Sequence, residues 1–177
     1  SYFGEAWERT ARQLLRKVDD YKPLVEEETL AFEPGSRWQY SNTGFLLAGA
    51  VIEAVTGKDY FDVVRERVYA RAGMTGSDAY DIDLVVPQLA IGYSKERTAA
   101  GPIWRANTFE HVIRGGPAGG GYSTVRDLLA FAEAMRSGRL VRPATADTLW
   151  SAKPELGSPE YGFGFGAVTG TAVVLNL

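Results

Sequence analysis

FEPGSRWQYSNTGFLLAGAVIEAVTG, residues 32–57, passes from a Pro-Gly turn through an extended step, Tyr40-Ser41-Asn42, into a stretch that is apolar almost all round. Pro34-Gly35 marks the turn. From Asn42 or Thr43, either of which has a capping side chain, GFLLAGAVIEAVTG reads as a helix, and Gly57 ends it where a left-handed residue is needed. With so few polar positions the helix is expected to be buried. In an extended segment residues i and i+2 project to the same side, so the Tyr40 phenol and the Asn42 carboxamide would face one cleft. The same two residues have plain structural uses, a core aromatic and a helix cap. The tripeptide alone does not choose between these.

Upstream, EAWERTARQLLRKV at 5–18 places Ala6, Leu14, Leu15 and Val18 at helical spacing, and Pro23 is expected to break that helix. EEETLAFEPGSRW then forms an acidic, extended approach. Downstream, Asp59 caps YFDVVRERVYARAG and Gly73 closes it. Residues 74–110 carry turn signals at Gly76, Pro87, Gly92 and Gly101-Pro102, which predicts loops with short strands or turns. GGPAGGG at 115–121 is too rich in glycine for a regular element and suits a tight loop lying against another backbone. Thr124 and Asp127 have capping-box spacing before LLAFAEAM, a helix stopped near Gly138. Pro143 suits the first turn of a further helix reaching Trp150. YGFGFGAV alternates with period two, putting Tyr161, Phe163 and Phe165 on one face of a strand whose glycine face admits close packing. TAVVLNL at 171–177 reads as a second, covered strand, with Val168, Thr169 and Gly170 left to form a tight hairpin.

The totals exclude several classes. A chain of 177 residues suits one domain, which at this size hides roughly 70% of its unfolded surface. The 45% hydrophobic and 23% charged fractions are those of a soluble protein, and no stretch approaches the ~20 apolar residues of a membrane span. Net charge is −3 with both signs interspersed, which leaves neither a nucleic-acid stripe nor a basic membrane face. Cysteine is absent, removing disulfides, thiol nucleophiles and Cys-ligated zinc. His111 is the single histidine, which excludes a multi-histidine metal site. With no Gly-x-Ser-x-Gly anywhere, His111 reads as exposed or satisfied. The glycine loop lacks the Gly-Lys-Ser/Thr ending of a phosphate cradle. Asp81, Asp83 and Glu26–Glu28 read as solvated surface. No leader like a signal peptide begins the chain, and its first residues look like the middle of something longer.

Together the pieces are more specific. The run from Phe32 to Met74 resembles the segment around the Tyr-x-Asn motif of the serine β-lactamase-like family: class C β-lactamases, penicillin-binding D,D-peptidases and related esterases and amidases. LAIGY at 89–93, GPAGGGYSTVRDLLAFAEAM at 116–135 and YGFGFGAV are similar to later parts of that family, in order. The resemblance implies an α+β, β-lactamase/transpeptidase-like fold: an antiparallel sheet flanked by helices plus a mostly helical lobe, here incomplete. It implies that Tyr40 is catalytic, moving the proton of the nucleophilic serine and of the leaving group. Asn42 would orient the catalytic lysine or the substrate amide. The substrate would be a small ester or amide (β-lactam, D-amino-acid peptide or carboxylic ester), attacked by a serine to give an acyl-enzyme, with no metal or organic cofactor.

The sequence departs from that pattern at two places. The family carries its nucleophile in Ser-x-x-Lys, and no serine here is followed three residues later by lysine. Val168-Thr169-Gly170 keeps only the last two letters of the Lys-Thr-Gly motif. The expectation is therefore a partial single domain over 1–177, with a mainly helical lobe and loops over 1–150, sheet strands over 160–177, and sequence missing before residue 1 and near 170. Loss of a serine nucleophile lowers turnover by about a million-fold, so the chain as it stands is expected to be inactive. The alternative is a non-catalytic binding or scaffold protein of the same fold. Bacterial cytoplasm, periplasm and secretion all stay open.

Overall fold

A computed structural model describes residues 2–167 and 173–175. The hairpin expected through Val168, Thr169 and Gly170, and the outer residues of TAVVLNL, lie outside the described residues.

The central helix α2 spans Asn42–Thr56, and its cap is Ser41, not Asn42 or Thr43. Ser41 is the last residue with extended backbone, so its Oγ is the one placed to accept the Gly44 N–H, at 3.0 Å. Gly57 closes α2 at φ 63°, as expected. Only a stripe is buried. Thr43, Leu46 and Gly49, three residues apart, face inward, whereas Leu47, Val51 and Val55 are exposed, Val55 by 80%. The expectation of a wholly buried helix is thus corrected: apolar composition did not reveal that α2 packs along one edge. Gly49 has a packing reason, since a Cβ there would stand 2.2 Å from Pro117 Cγ.

The single helix expected over 5–18 is three pieces: α1 at Glu5–Arg9 and 3₁₀ turns at Arg12–Leu14 and Val18–Leu24. Thr10 bonds back from Oγ1 to the Ala6 carbonyl at 2.7 Å while its backbone turns extended. The Asp20 carboxylate then takes the N–H groups of Arg16 and Lys17, at 2.9 and 2.7 Å, which a continuous helix would need. Pro23 does not end a helix but lies inside the second 3₁₀ segment. The breaks let Tyr2, Trp7, Leu15, Val18, Tyr21 and Val25 converge on Leu46 and on Ile113, forming one core.

Asp59 caps α3 (Tyr60–Val64) by accepting the Phe61 N–H at 2.9 Å. The helix runs through a π-turn at Arg65–Tyr69 into α4 (Ala70–Ala72) and stops at Gly73. Ala72 and Met74 meet Ala134 of α5 (Val125–Arg136) in a second core. Thr124 caps α5, accepting the Asp127 N–H at 3.1 Å. The capping box is only half closed, because the Asp127 carboxylate turns instead to Gly76 and Ser77. Helix α6 covers Pro143–Trp150.

Strands β1 (Tyr93–Thr98) and β2 (Gly101–Ala106) pair antiparallel from Tyr93↔Ala106 to Thr98↔Gly101. The turn is therefore Ala99-Ala100, and Gly101-Pro102, read as a turn, opens β2. Strand β3 (Phe165–Ala167) pairs antiparallel with β4 (Val173–Leu175), Phe165 opposite Leu175. The alternating strand expected over YGFGFGAV begins only at Phe165. Gly164 is left-handed at φ 87° and Gly162 N–H donates to Phe165 O at 2.8 Å, so 162–165 is a tight turn with Tyr161 bridged to Gly166 beyond it. Close packing on glycine does hold at Gly162, where a Cβ would come 2.3 Å from the Leu149 carbonyl. Asp83 is exposed, as expected, whereas Asp81 is half-buried; Arg16 bridges both, at 2.7 and 3.3 Å, and holds the Asp83 carboxyl below its usual range.

Candidate active site

The two cores leave a cleft of about 480 Å³ between them. One wall comes from the start of α2 and the turn before β3, through Tyr40, Phe45, Tyr161 and Gly164. The other comes from the π-turn before α4, the loop after it and the start of α5, through Tyr69, Met74, Ser77, Ser123, Leu128 and Phe131. Its floor is the glycine loop.

That loop is where the sequence reading expected close backbone contact. Gly116 and Gly119 exchange both N–H···O bonds, at 2.8 and 2.9 Å, so Pro117-Ala118 is the corner of a tight hairpin. A Cβ on Gly115 would come 2.1 Å from the Gly120 carbonyl carbon. Pro117 seats against Gly49 of α2, while Tyr122 and Asp78 exchange backbone bonds at 2.9 and 3.2 Å. The loop is thereby fixed to both walls.

Tyr40 is 48% exposed, and its ring lies on the cleft wall rather than in either core. Tyr161 meets it edge-on at 6.2 Å between centroids, and Phe45 lies tilted at 6.5 Å. Trp38 backs Tyr161 at 5.5 Å, its backbone N–H donated to Leu156 O at 2.8 Å. The Tyr2 phenol is pushed up first by burial and then by the Tyr40 phenol. Asn42, the other residue singled out by sequence, opens α2 half-buried and is not among the residues lining the cleft. His111 is exposed, its Nε2 3.2 Å from Asn107 Oδ1.

A second polar group sits across from Tyr40. Ser123 Oγ lies 2.7 Å from Ser77 Oγ, and Ser77 donates to the buried Asp127 carboxylate at 2.6 Å. Sequence reasoning missed this set, since Ser77 lies 46 residues before Ser123 and no local signal joins them. Ser151 and Lys153, in contact at 2.8 Å, invite a Ser-Lys reading. Yet the Lys153 ammonium also donates to Thr148 O at 2.9 Å and Ser151 O at 2.6 Å, so all three of its protons are engaged at the end of α6. It holds a helix terminus.

Fold and cleft together define an α+β chain of the β-lactamase/transpeptidase type. The chain belongs to the Beta-lactamase family, whose model matches residues 3–175. Penicillin-binding protein 4* of Bacillus subtilis is 30% identical over 145 residues, 76% of this chain and 32% of its own length. Lovastatin esterase of Penicillium rubens is 30% identical over 144 residues, 75% of this chain and 36% of its own. Among solved structures, a penicillin binding protein from Bacillus halodurans superposes with a TM-score of 0.79 at 28% identity, covering 96% of this chain and 53% of that one. The chain thus spans about a third of the length of these curated relatives. Among the described residues no helix is long and apolar enough to cross a membrane.

Proposed function

We propose that this chain contributes the substrate cleft of a serine hydrolase acting on a small ester or amide through an acyl-enzyme. The observation that supports the reading most is Tyr40, exposed on the cleft wall within the segment where the sequence resembles the family's Tyr-x-Asn motif. A serine hydroxyl adds to the substrate carbonyl carbon, and its proton passes through the phenol to the leaving alkoxide or amine. Water then releases the acyl group. Tyr40 is the proton-transfer residue, and Asn42 orients the catalytic lysine or the substrate amide. β-Lactams, D-amino-acid peptides and carboxylic esters all present the carbonyl this chemistry needs.

The second reading is a non-catalytic binding or scaffold protein of the same fold, which a full-length gene still lacking the Ser-x-x-Lys that these residues do not contain would favour. The 177-residue polypeptide is accordingly expected to bind a carbonyl substrate without being acylated. Benzylpenicillin titrated against it should give saturable NMR shifts at Tyr40 and Tyr161, and intact mass after fluorophosphonate treatment should be unchanged. A stable adduct would refute the inactive chain; shifts that bypass Tyr40 at saturation would refute the cleft. Coding sequence flanking these residues separates the two readings: Ser-x-x-Lys upstream of Tyr40 supports the hydrolase, and a complete gene without it supports the scaffold.

A further inference from the structure

Asp127 is 3% exposed, and one of its oxygens, Oδ2, takes two donors, the Gly76 N–H at 2.7 Å and the Ser77 hydroxyl at 2.6 Å. Ser77 has one proton, and it is engaged on that carboxylate. The 2.7 Å contact between Ser77 Oγ and Ser123 Oγ then requires the proton of Ser123. The chain runs one way, from Ser123 to Ser77 to Asp127. Reversing it would break a hydrogen bond to an ionised acceptor, roughly twice as strong as a neutral one. The other oxygen near Ser123, the Thr124 carbonyl at 3.4 Å, is its own neighbour's backbone and also draws the proton inward. Toward the cleft, which Ser123 lines, only oxygen lone pairs remain.

The geometry points to a donor-selective subsite in the cleft, where Ser123 Oγ, fixed as an acceptor by Ser77 and Asp127, binds an N–H or ammonium group of the ligand. Each link polarises the next, which strengthens that oxygen as an acceptor. The partial positive charge at the start of α5 would by itself favour an anion. Here it is already answered, because Thr124 Oγ1 accepts the Asp127 N–H and the Asp127 carboxylate sits in the first turn. Leu128 and Phe131, farther along α5, line the same wall and offer the ligand's carbon skeleton an apolar seat. The inference rests on the proposed cleft function and narrows its substrate class to esters or amides bearing an N–H beside an apolar group, over purely oxygenated ones.

Three probes of similar size test it by NMR titration of the 177-residue polypeptide: 2-phenylethylammonium, N-(2-phenylethyl)acetamide and (2-methoxyethyl)benzene. The ammonium should bind about tenfold tighter than the ether, and the amide a few-fold tighter. Ser123→Ala should erase both differences and leave the ether's affinity unchanged; Ser123→Thr should restore them. Ser77→Ala frees the Ser123 hydroxyl to turn outward, so the ether should gain. Equal affinities with the cleft occupied, or equal weakening of all three by Ser123→Ala in a protein of unchanged circular dichroism, would overturn the subsite alone. Failure of every probe to shift Tyr40 or Tyr161 would overturn the subsite together with the cleft reading.

Discussion

Asp127 Oδ2 accepts the backbone N–H of Gly76 at 2.7 Å, joining the first turn of α5 to a loop 51 residues away in the chain. The same oxygen holds Ser77, so one carboxylate keeps Met74 against α5 and sets the hydroxyl row of the cleft. Asp127→Ala leaves two donors without their acceptor in a buried site and should cost about 3 kcal/mol. Asp127→Asn retains an acceptor oxygen and should cost about 1 kcal/mol. Urea unfolding at constant slope measures both, and equal losses for the two variants would contradict the assigned bonds.

Ser41 and Asn42 separate structure from function at the start of α2. Ser41→Ala removes the observed cap and should destabilise by about 1 kcal/mol. Asn42→Ala, already inside the helix, should change stability by less than about 0.5 kcal/mol. If Asn42 orients the substrate amide as proposed, its alanine variant should weaken benzylpenicillin binding while leaving the unfolding midpoint in place. The opposite pattern, stability lost at Asn42 and kept at Ser41, would restore Asn42 as a mere cap.

The elements legible in the sequence are those with their own start and stop signals. Gly57, Asp59, Gly73, Thr124 and Pro143 bound helices where expected because caps and breakers act over a few residues. The 5–18 segment misled because its apolar spacing is right while Thr10 and Asp20 compete for the backbone with their side chains. YGFGFG misled because a glycine at positive φ looks no different in sequence from one in a strand. Of the candidate site, Tyr40 was found through a motif. Ser77, Ser123 and Asp127 were not, since the bonds that unite them cross about fifty residues. The exposed side of α2 was illegible for a similar reason: composition tells that a face is apolar, not which side meets a partner.

Gly49 is the point where α2 touches the glycine loop. In a free helix Gly→Ala gains about 1 kcal/mol, but here the new Cβ would lie 2.2 Å from Pro117 Cγ and 3.0 Å from Pro117 Cβ. Overpacking of that kind costs about 1–3 kcal/mol, and it should win at Gly49. Gly44, whose Cβ would meet Ser41 Cβ at an ordinary 3.5 Å, serves as the control and should be stabilised by alanine. Thermal unfolding should therefore rank Gly44→Ala above the parent and Gly49→Ala below it. Gly49→Ala should also shift the NMR signals of Ala118 and Gly119, because Pro117 carries the cleft floor. An unshifted loop would mean that Pro117 does not transmit the contact.

Alkaline unfolding should depend on phenols that burial keeps neutral. Burial, and then Tyr69, push the Tyr60 phenol up to about 12, and burial likewise raises Tyr2, Tyr21 and Tyr69. A free tyrosine titrates near ~10, so above that pH the unfolded chain loses its phenolic protons before the folded one does. Proton release then favours unfolding. The stabilisation is whole below about pH 10 and is lost as pH climbs toward about 12, with Tyr60 alone accounting for on the order of 2–3 kcal/mol. Tyr60→Phe keeps the ring and removes the ionisable group, so its stability should fall less steeply across that range than the parent's. Phenolate absorbance followed alongside urea midpoints at rising pH gives the comparison, and an identical slope in Tyr60→Phe would show that the Tyr60 phenol is not among the groups that drive the transition.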